Sequence, residues 1–342
     1  ATRTNDDDAR TSLAVRAASA LSRYLSWIDV RLATEPSLVR SLFDGTGGAS
    51  PCSNPTEEEE PTRRTLLAAE CARCLREIVN RGMDERAKLE MLAGMDVFGT
   101  LCRLSRIGNG DGGVVDCRGK LDLITMDGTQ VEAVAAAAEL INDSGLALIQ
   151  GWETTLDGPT RRRQQQGINA QMGQCLQLTF ACLAYDSIDV SGAVVDLVSR
   201  ILVSMEKTAC WHDDGIGFSA AFGGGGGDTT VCNNILSRTL VILHGRMRYD
   251  IDFAYDYEDE DEAEEEVYRT GLRKLYQRIV GLRPNVVLEF VERCLESLPR
   301  PLSSSPTPDV EVALRLVYHY GEGRRPAPGA RTALVHDVPL KD

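Results

Sequence analysis

The chain has 342 residues, whereas a domain with a single compact core stops growing at about 250–300 residues. The chain therefore holds about two domains or a repeat array. It is 43% hydrophobic but only 6% aromatic, and no apolar run approaches the roughly 20 residues of a membrane span, so we expect no membrane insertion. Most of the ten cysteines sit inside apolar helical patterns, which favours buried free thiols and a reducing, intracellular compartment.

The net charge of −14 is concentrated in two acidic tracts. Eleven acids and no base lie between Asp250 and Glu266, and Glu57–Glu60 adds four more. Because these fifteen acids exceed the net charge by one, the rest of the chain carries about +1. The acidity therefore concerns local segments, and the longer tract is either a solvated linker or a docking surface for a basic partner.

Apolar residues recur at helical spacing along the chain, and Gly, Pro or acidic segments separate the blocks. Gly82 ends one block, Asp84 is placed to cap the next helix, and Pro284 is placed to begin another. The pattern predicts about ten or eleven helices and no strand pair. In chain order they cover 13–28, 36–43, 62–80, 85–101, 130–152, 168–184, 190–207, 229–247, 267–280, 284–298 and 310–320.

The spacing of paired helices falls near the roughly 40–47 residues of HEAT and armadillo units. The sequence therefore predicts an all-α fold, a HEAT/armadillo-like superhelix of antiparallel helix pairs over residues 1–323, followed by a poorly ordered segment at 324–342. A non-repetitive helical domain would show the same periodicity, so that alternative stays open. Flexible loops are expected near 47–61, 108–120, 157–167, 215–228, 250–266 and 299–308.

Several patterns resemble catalytic or metal sites, but each lacks a required part. Gly108–Gly113 fits the dinucleotide-binding pattern G-x-G-x-x-G, but it follows a predicted helix where that site needs a strand. Gly223–Gly227 lacks the Gly-Lys-Ser/Thr that cradles a nucleotide phosphate. Cys71 and Cys74 share a helix face without a second ligand pair, and the acidic tract lacks the central glycine of a calcium loop. The cluster at 210–214 resembles a helix end followed by a polar loop. We therefore predict no enzyme, cofactor or metal site.

Arg161, Arg162 and Arg163 form the one concentrated basic run. Such a run binds phosphates through charge without selecting a base sequence, so the arginine triplet is a candidate RNA contact, with solubilising surface charge as the alternative. We expect no DNA binding. Ser305 and Thr307 each precede a proline and are candidate phosphorylation sites.

Five segments of the chain, taken in order, match a known pattern: Trp27–Val30, Cys71–Asp84, 176–201 with its Tyr185-Asp186 turn, the acidic stretch from Tyr249-Asp250 to Tyr268-Arg269, and Val310–Leu316. Together they resemble the exportin-t family, the transfer-RNA exporters of the importin-β, or karyopherin, superfamily. The resemblance runs from about Trp27 to Gly323 and departs from the family pattern at 49–61, 157–167 and 215–228.

The resemblance implies a nuclear export receptor that binds tRNA cooperatively with Ran-GTP, contacts nuclear pore proteins and shuttles between nucleus and cytoplasm. Because the chain opens in polar sequence without an initiator Met, we expect an interior fragment of a longer receptor. A HEAT scaffold for proteins, another karyopherin with a protein cargo, and an acidic histone-chaperone-like binder are the alternatives. The resemblance also implies a Ran-binding acidic loop formed by Asp256, Glu258, Asp259, Glu260, Asp261 and Glu262.

Overall fold

The structure, a computed structural model, describes residues 2–46, 59–105, 131–155, 161–207, 228–251, 260–301 and 306–324. These residues form α-helices that pack against one another and contain no β-strand, which confirms the predicted all-α, HEAT-like fold class. In chain order the helices are α1 Thr2–Leu25, α2 Val30–Ala33, α3 Pro36–Thr46, α4 Glu59–Val79, α5 Glu85–Met95, α6 Val97–Leu104, α7 Val131–Thr155, α8 Arg161–Leu183, α9 Ile188–Ala193, α10 Val195–Lys207, α11 Asp228–Met247, α12 Glu260–Leu282, α13 Pro284–Glu296 and α14 Thr307–Gly323.

Four helices begin inside segments that the sequence predicts as loops. α4 begins at Glu59, α8 at Arg161, α12 at Glu260 and α14 at Thr307. Glu, Arg and Gln are strong helix formers, and carboxylates in a first turn are stabilised by the positive end of the helix dipole, so charged runs extend α4, α8 and α12. The expected loop at 108–120 and the C-terminal segment from residue 325 lie outside the described residues.

The helix predicted over 85–101 is broken into α5 and α6 at Asp96. This residue adopts the left-handed conformation, with φ 47° and ψ 47°, and its N–H donates to the carbonyls of Leu92 and Ala93. Asp tolerates this conformation better than most residues do. A Cβ at Gly99 would lie 2.3 Å from an Asp96 carboxylate oxygen, so the side chain of Asp96 occupies the space beside this glycine.

The contacts divide the chain into two compact units, residues 1–235 and 236–342. In the first unit, α4 packs on α1, α3 and α7, and α7 also packs on α5, α8, α9 and α10. Small side chains allow two helix backbones to approach closely. The α4–α7 contact is lined by such residues, namely Ala68, Ala69, Ala72, Ala133 and Ala136.

Polar groups fix the register of α4 on α7. The guanidinium Nε of Arg76 lies 2.5 Å from Oδ2 of Asp143, and Asn80 donates to the same oxygen at 2.6 Å. Arg73 donates to Glu132 at 2.7 Å. These pairs are partly exposed, so each adds little stability, but together they restrict the sliding of one helix along the other.

In the second unit, α12 packs on α13 and α14, and α13 packs on α14. Tyr276 of α12 is buried, and its hydroxyl donates to the carbonyl of Leu316 in α14 at 3.0 Å. This bond satisfies a polar group that would otherwise be buried without a partner. The α12–α14 pair carries the site described next.

Candidate functional site

The acidic tract is partly helical. Asp256, Glu258 and Asp259 lie outside the described residues, whereas Glu260, Asp261 and Glu262 belong to the first turn of α12. The prediction of a continuous loop over 250–266 is therefore wrong for its second half. The second half instead forms the first turns of α12, where the helix dipole favours negative charge.

Tyr249, which immediately precedes the tract, is anchored by residues from α12 and α14. Only 1% of its surface is exposed. Its hydroxyl donates to Oε2 of Glu266 at 2.9 Å and accepts a bond from Nη1 of Arg315 at 3.0 Å. The guanidinium carbons of Arg269 and Arg315 lie 3.7 and 4.7 Å from the ring centroid, within cation–π range. We call Tyr249, Glu266, Arg269 and Arg315 the tyrosine clamp.

Arg269 also caps the end of α11. Its side chain, which is 5% exposed, donates to the carbonyls of Met247 at 2.5 Å and Arg248 at 3.3 Å and pairs with Glu265. The last carbonyls of a helix have no partner within the helix and carry partial negative charge. A guanidinium at this place supplies both the missing hydrogen-bond donors and a compensating positive charge. Arg269 therefore ties the residues before the tract to the residues at its end.

Burial keeps the hydroxyl of Tyr249 protonated. Burial raises the pKa of Tyr249 to about 12, so the hydroxyl keeps its proton at neutral pH and remains a donor to Glu266. Tyr268 is also buried and accepts a bond from Nε of Arg246 at 3.4 Å. Both aromatic flanks of the tract thus pack against helices. The roles of Arg269 and Arg315 have no signal in local periodicity.

The arginine triplet lies in the first turn of α8, and the expected loop around it is therefore shorter than predicted. Arg161, Arg162 and Arg163 have a described backbone, but their side chains lie outside the described part of the chain. Three cations at a helix N-terminus oppose the helix dipole, so an anion bound there would relieve their repulsion. The RNA contact remains a prediction.

Cys71 and Cys74 are buried thiols of α4. Burial raises the pKa of Cys71 to about 11 and that of Cys74 to about 12, so both stay protonated at neutral pH. Buried free thiols of this kind pack as small apolar side chains in the core. Among the described residues, no group of three or more His, Cys, Asp or Glu is arranged to hold a metal ion.

The other suspected chemical motifs, at 108–113, 210–214 and 223–227, lie outside the described residues. Within the seven described ranges, no helix is both long enough and apolar enough to cross a membrane.

Comparison with known proteins finds similarity to Exportin-T. The chain is 23% identical to Exportin-T of Danio rerio and of Homo sapiens over 310 residues, and to that of Mus musculus over 307 residues. Each alignment covers 90% of this chain but 26% of the relative, so the chain spans about a quarter of the length of these proteins. No protein-family model matches. The similarity supports a distant relationship to the karyopherin family.

Proposed function

We propose that this chain is part of a karyopherin-like nuclear export receptor that carries tRNA together with Ran-GTP. The observation that carries the proposal is the similarity to Exportin-T along 90% of the chain, joined to an all-α fold. Transport receptors of this kind act by binding and not by catalysis. In this chain the two thiols of the Cys-x-x-Cys motif, the candidate reactive pair, are buried in α4. The receptor would contact nuclear pore proteins and shuttle between nucleus and cytoplasm.

We propose that the acidic tract, including Asp256, Glu258, Asp259, Glu260, Asp261 and Glu262, meets a basic surface of Ran. Exposed charge pairs contribute only about 0–1 kcal/mol each, so the tract would accelerate association more than it strengthens the complex. Salt would suppress the effect, because the Debye length is about 8 Å at physiological ionic strength. The tyrosine clamp supports this role because it holds the two ends of the tract together.

We propose that the arginine triplet, Arg161, Arg162 and Arg163, contributes to tRNA binding only in the Ran complex. RNA affinity arises mainly from cation–phosphate contacts, and the body of this chain is nearly neutral beside two acidic tracts. Binding to tRNA without Ran-GTP is therefore expected to be poor. Cooperative assembly with Ran-GTP would supply the missing free energy.

The test is a binding assay on the complete natural reading frame that encodes this chain. Immobilised protein is exposed to Ran loaded with GTP or GDP, with and without tRNA. We expect Ran-GTP to bind, Ran-GDP not to bind, and tRNA to strengthen the Ran-GTP complex. Equal binding of the two Ran forms, or none, would contradict a transport receptor and favour a HEAT scaffold.

Two variants separate the two proposed surfaces. Replacing the six acids of the tract with Ser or Asn is expected to slow Ran association and to flatten its salt dependence. Replacing Arg161, Arg162 and Arg163 with Gln is expected to weaken tRNA retention while Ran association stays unchanged. Unchanged association rates at low salt in the first variant would leave the tract as a solvated linker.

A further inference from the structure

A cavity with a volume of about 230 Å³ lies beside the tyrosine clamp, between the end of α11, the middle of α12 and the second half of α14. Arg269 and Arg315, which hold the ring of Tyr249, also line this cavity. Arg273 and His319 line it as well. The clamp does not use these two residues, so the cavity has a chemistry that the anchoring of Tyr249 does not explain.

The described residues that line the cavity carry more positive than negative charge. Three of them are arginines, and one, Glu266, is an acid. Arg269 pairs with Glu265 and Arg315 pairs with Glu311, but neither of these two acids lines the cavity. The lining is therefore positively charged, and it favours a bound anion over a bound cation.

Arg273 is the arginine of the three that forms no ion pair or hydrogen bond with a described residue. Glu322 is close enough to feel its charge, but that carboxylate is engaged by other side chains. Oε2 of Glu322 accepts a bond from Gln277 at 2.9 Å and lies 2.9 Å from Nδ1 of His319. Arg273 therefore keeps its N–H donors for a ligand in the cavity that it lines.

Two of the lining side chains are buried and held in place. The side chains of Arg269 and His319 are 5% and 8% exposed. The carbonyl of Met247 fixes Arg269, and Glu322 fixes His319. Because these walls are ordered before a ligand arrives, binding costs little side-chain entropy. Arg269 also lies away from bulk water, so its attraction for an anion is weakly screened.

The hydrogen-bond donors around the cavity belong to two helices, with Arg269, Thr270 and Arg273 on α12 and Arg315 on α14. The fork of a single arginine matches a planar carboxylate, whereas a tetrahedral oxyanion offers acceptors in several directions. We propose that this cavity binds an oxyanion of the phosphate class, as the free ion or as the phosphate group of a monoester. Arg273 and Arg315 bind the oxyanion from the two helices.

The bound oxyanion also stabilises the tyrosine clamp, because Arg269 and Arg315 belong to both the clamp and the cavity. A nucleic-acid backbone fits less well, because the acidic tract begins at the residue after Tyr249 and would repel a polyanion. The proposal does not depend on the proposed transport function, since the ligand and its contacts concern the second unit alone.

The test is hydrogen exchange of the complete natural protein that contains this chain, in inorganic phosphate and in chloride of equal ionic strength. We expect phosphate to slow exchange at 266–273 and 315–319, because a ligand bound to two helices opposes their local opening. Arg273→Met is expected to raise the phosphate concentration that gives half of this protection about tenfold. Lys274→Met, at the exposed neighbour that does not line the cavity, leaves that concentration unchanged.

Glu266→Gln is expected to act in the opposite direction. It removes the one carboxylate of the described lining, while its amide oxygen can still accept the bond from Tyr249, so half protection should need several-fold less phosphate. Phosphoserine identifies the source: protection at a similar concentration assigns the cavity to a phosphorylated residue, and protection by inorganic phosphate alone assigns it to the free ion. Equal exchange in phosphate and chloride would overturn the proposal. So would equal shifts in Arg273→Met and Lys274→Met, since general surface charge would then explain the binding.

Discussion

Arg269→Met is the sharpest test of the tyrosine clamp. The substitution keeps most of the side-chain volume but removes the cap on Met247 and Arg248, the ion pair with Glu265 and the cation over Tyr249. Breaking one partner of a buried pair costs about 3–5 kcal/mol. Because Glu265 is partly exposed and regains water, we expect a loss near 3 kcal/mol in the free energy of unfolding of the second unit.

The measurement is denaturant unfolding together with hydrogen exchange of the amides at 245–251 and 262–270. We expect faster exchange in both segments, because the substitution releases the end of α11 and the first turns of α12 together. Arg273→Met is the matched control: this arginine lies one turn further along α12 and forms no hydrogen bond with another described side chain. Its effect is expected within about 0.5 kcal/mol. Equal losses in the two variants would refute the clamp.

Three further predictions concern stability. Tyr249→Phe keeps the ring but removes both bonds of its hydroxyl, and should cost about 1–2 kcal/mol in denaturant unfolding; no loss would show that the ring alone anchors the tract. Gly151→Ala adds a Cβ 2.5 Å from Cγ of Leu89 and should cost about 1–3 kcal/mol by the same assay, whereas an unchanged midpoint would mean that α5 adjusts freely. Burial raises the pKa values of Cys71, Cys74 and Tyr249 in the folded chain, so the unfolded chain loses these protons first, above about pH 9. The free energy of unfolding should therefore fall from about pH 9 toward about pH 12. Equal unfolding free energies at neutral and alkaline pH would contradict this.

The fold class is predictable from sequence because apolar periodicity is local information, and α3, α7, α10 and α13 all lie near their predicted places. Helix ends are less predictable. The charged runs at Glu59, Arg161 and Glu260 suggest loops because they are densely charged. The helix propensity of their residues and the helix dipole nevertheless extend the helices through them. The break at Asp96 depends on a single backbone conformation, which no periodicity reports.

The candidate site also has one part that the sequence predicts and another that only the structure shows. The acidic tract and its tyrosine flanks are visible as composition, so the sequence identifies the place. Tyr249 and Arg315 are 66 residues apart, and only the packing of α14 on α12 brings them together. Such a contact depends on tertiary packing, so it cannot be predicted from the sequence of either segment alone.

The clamp also changes what the acidic tract can do. A fully mobile run of carboxylates would lose conformational entropy on every contact with a basic partner, which offsets much of the attraction. In this chain Glu262 and the following residues belong to a helix whose first turns are held by Arg269, so their positions are set before a partner arrives. The carboxylates of α12 should therefore contribute more affinity per charge than Asp256 and Glu258, which precede the helix in the sequence, and neutralising the two groups separately in Ran-GTP binding would reveal the difference. Equal effects would mean that only total charge matters and that the clamp serves stability alone.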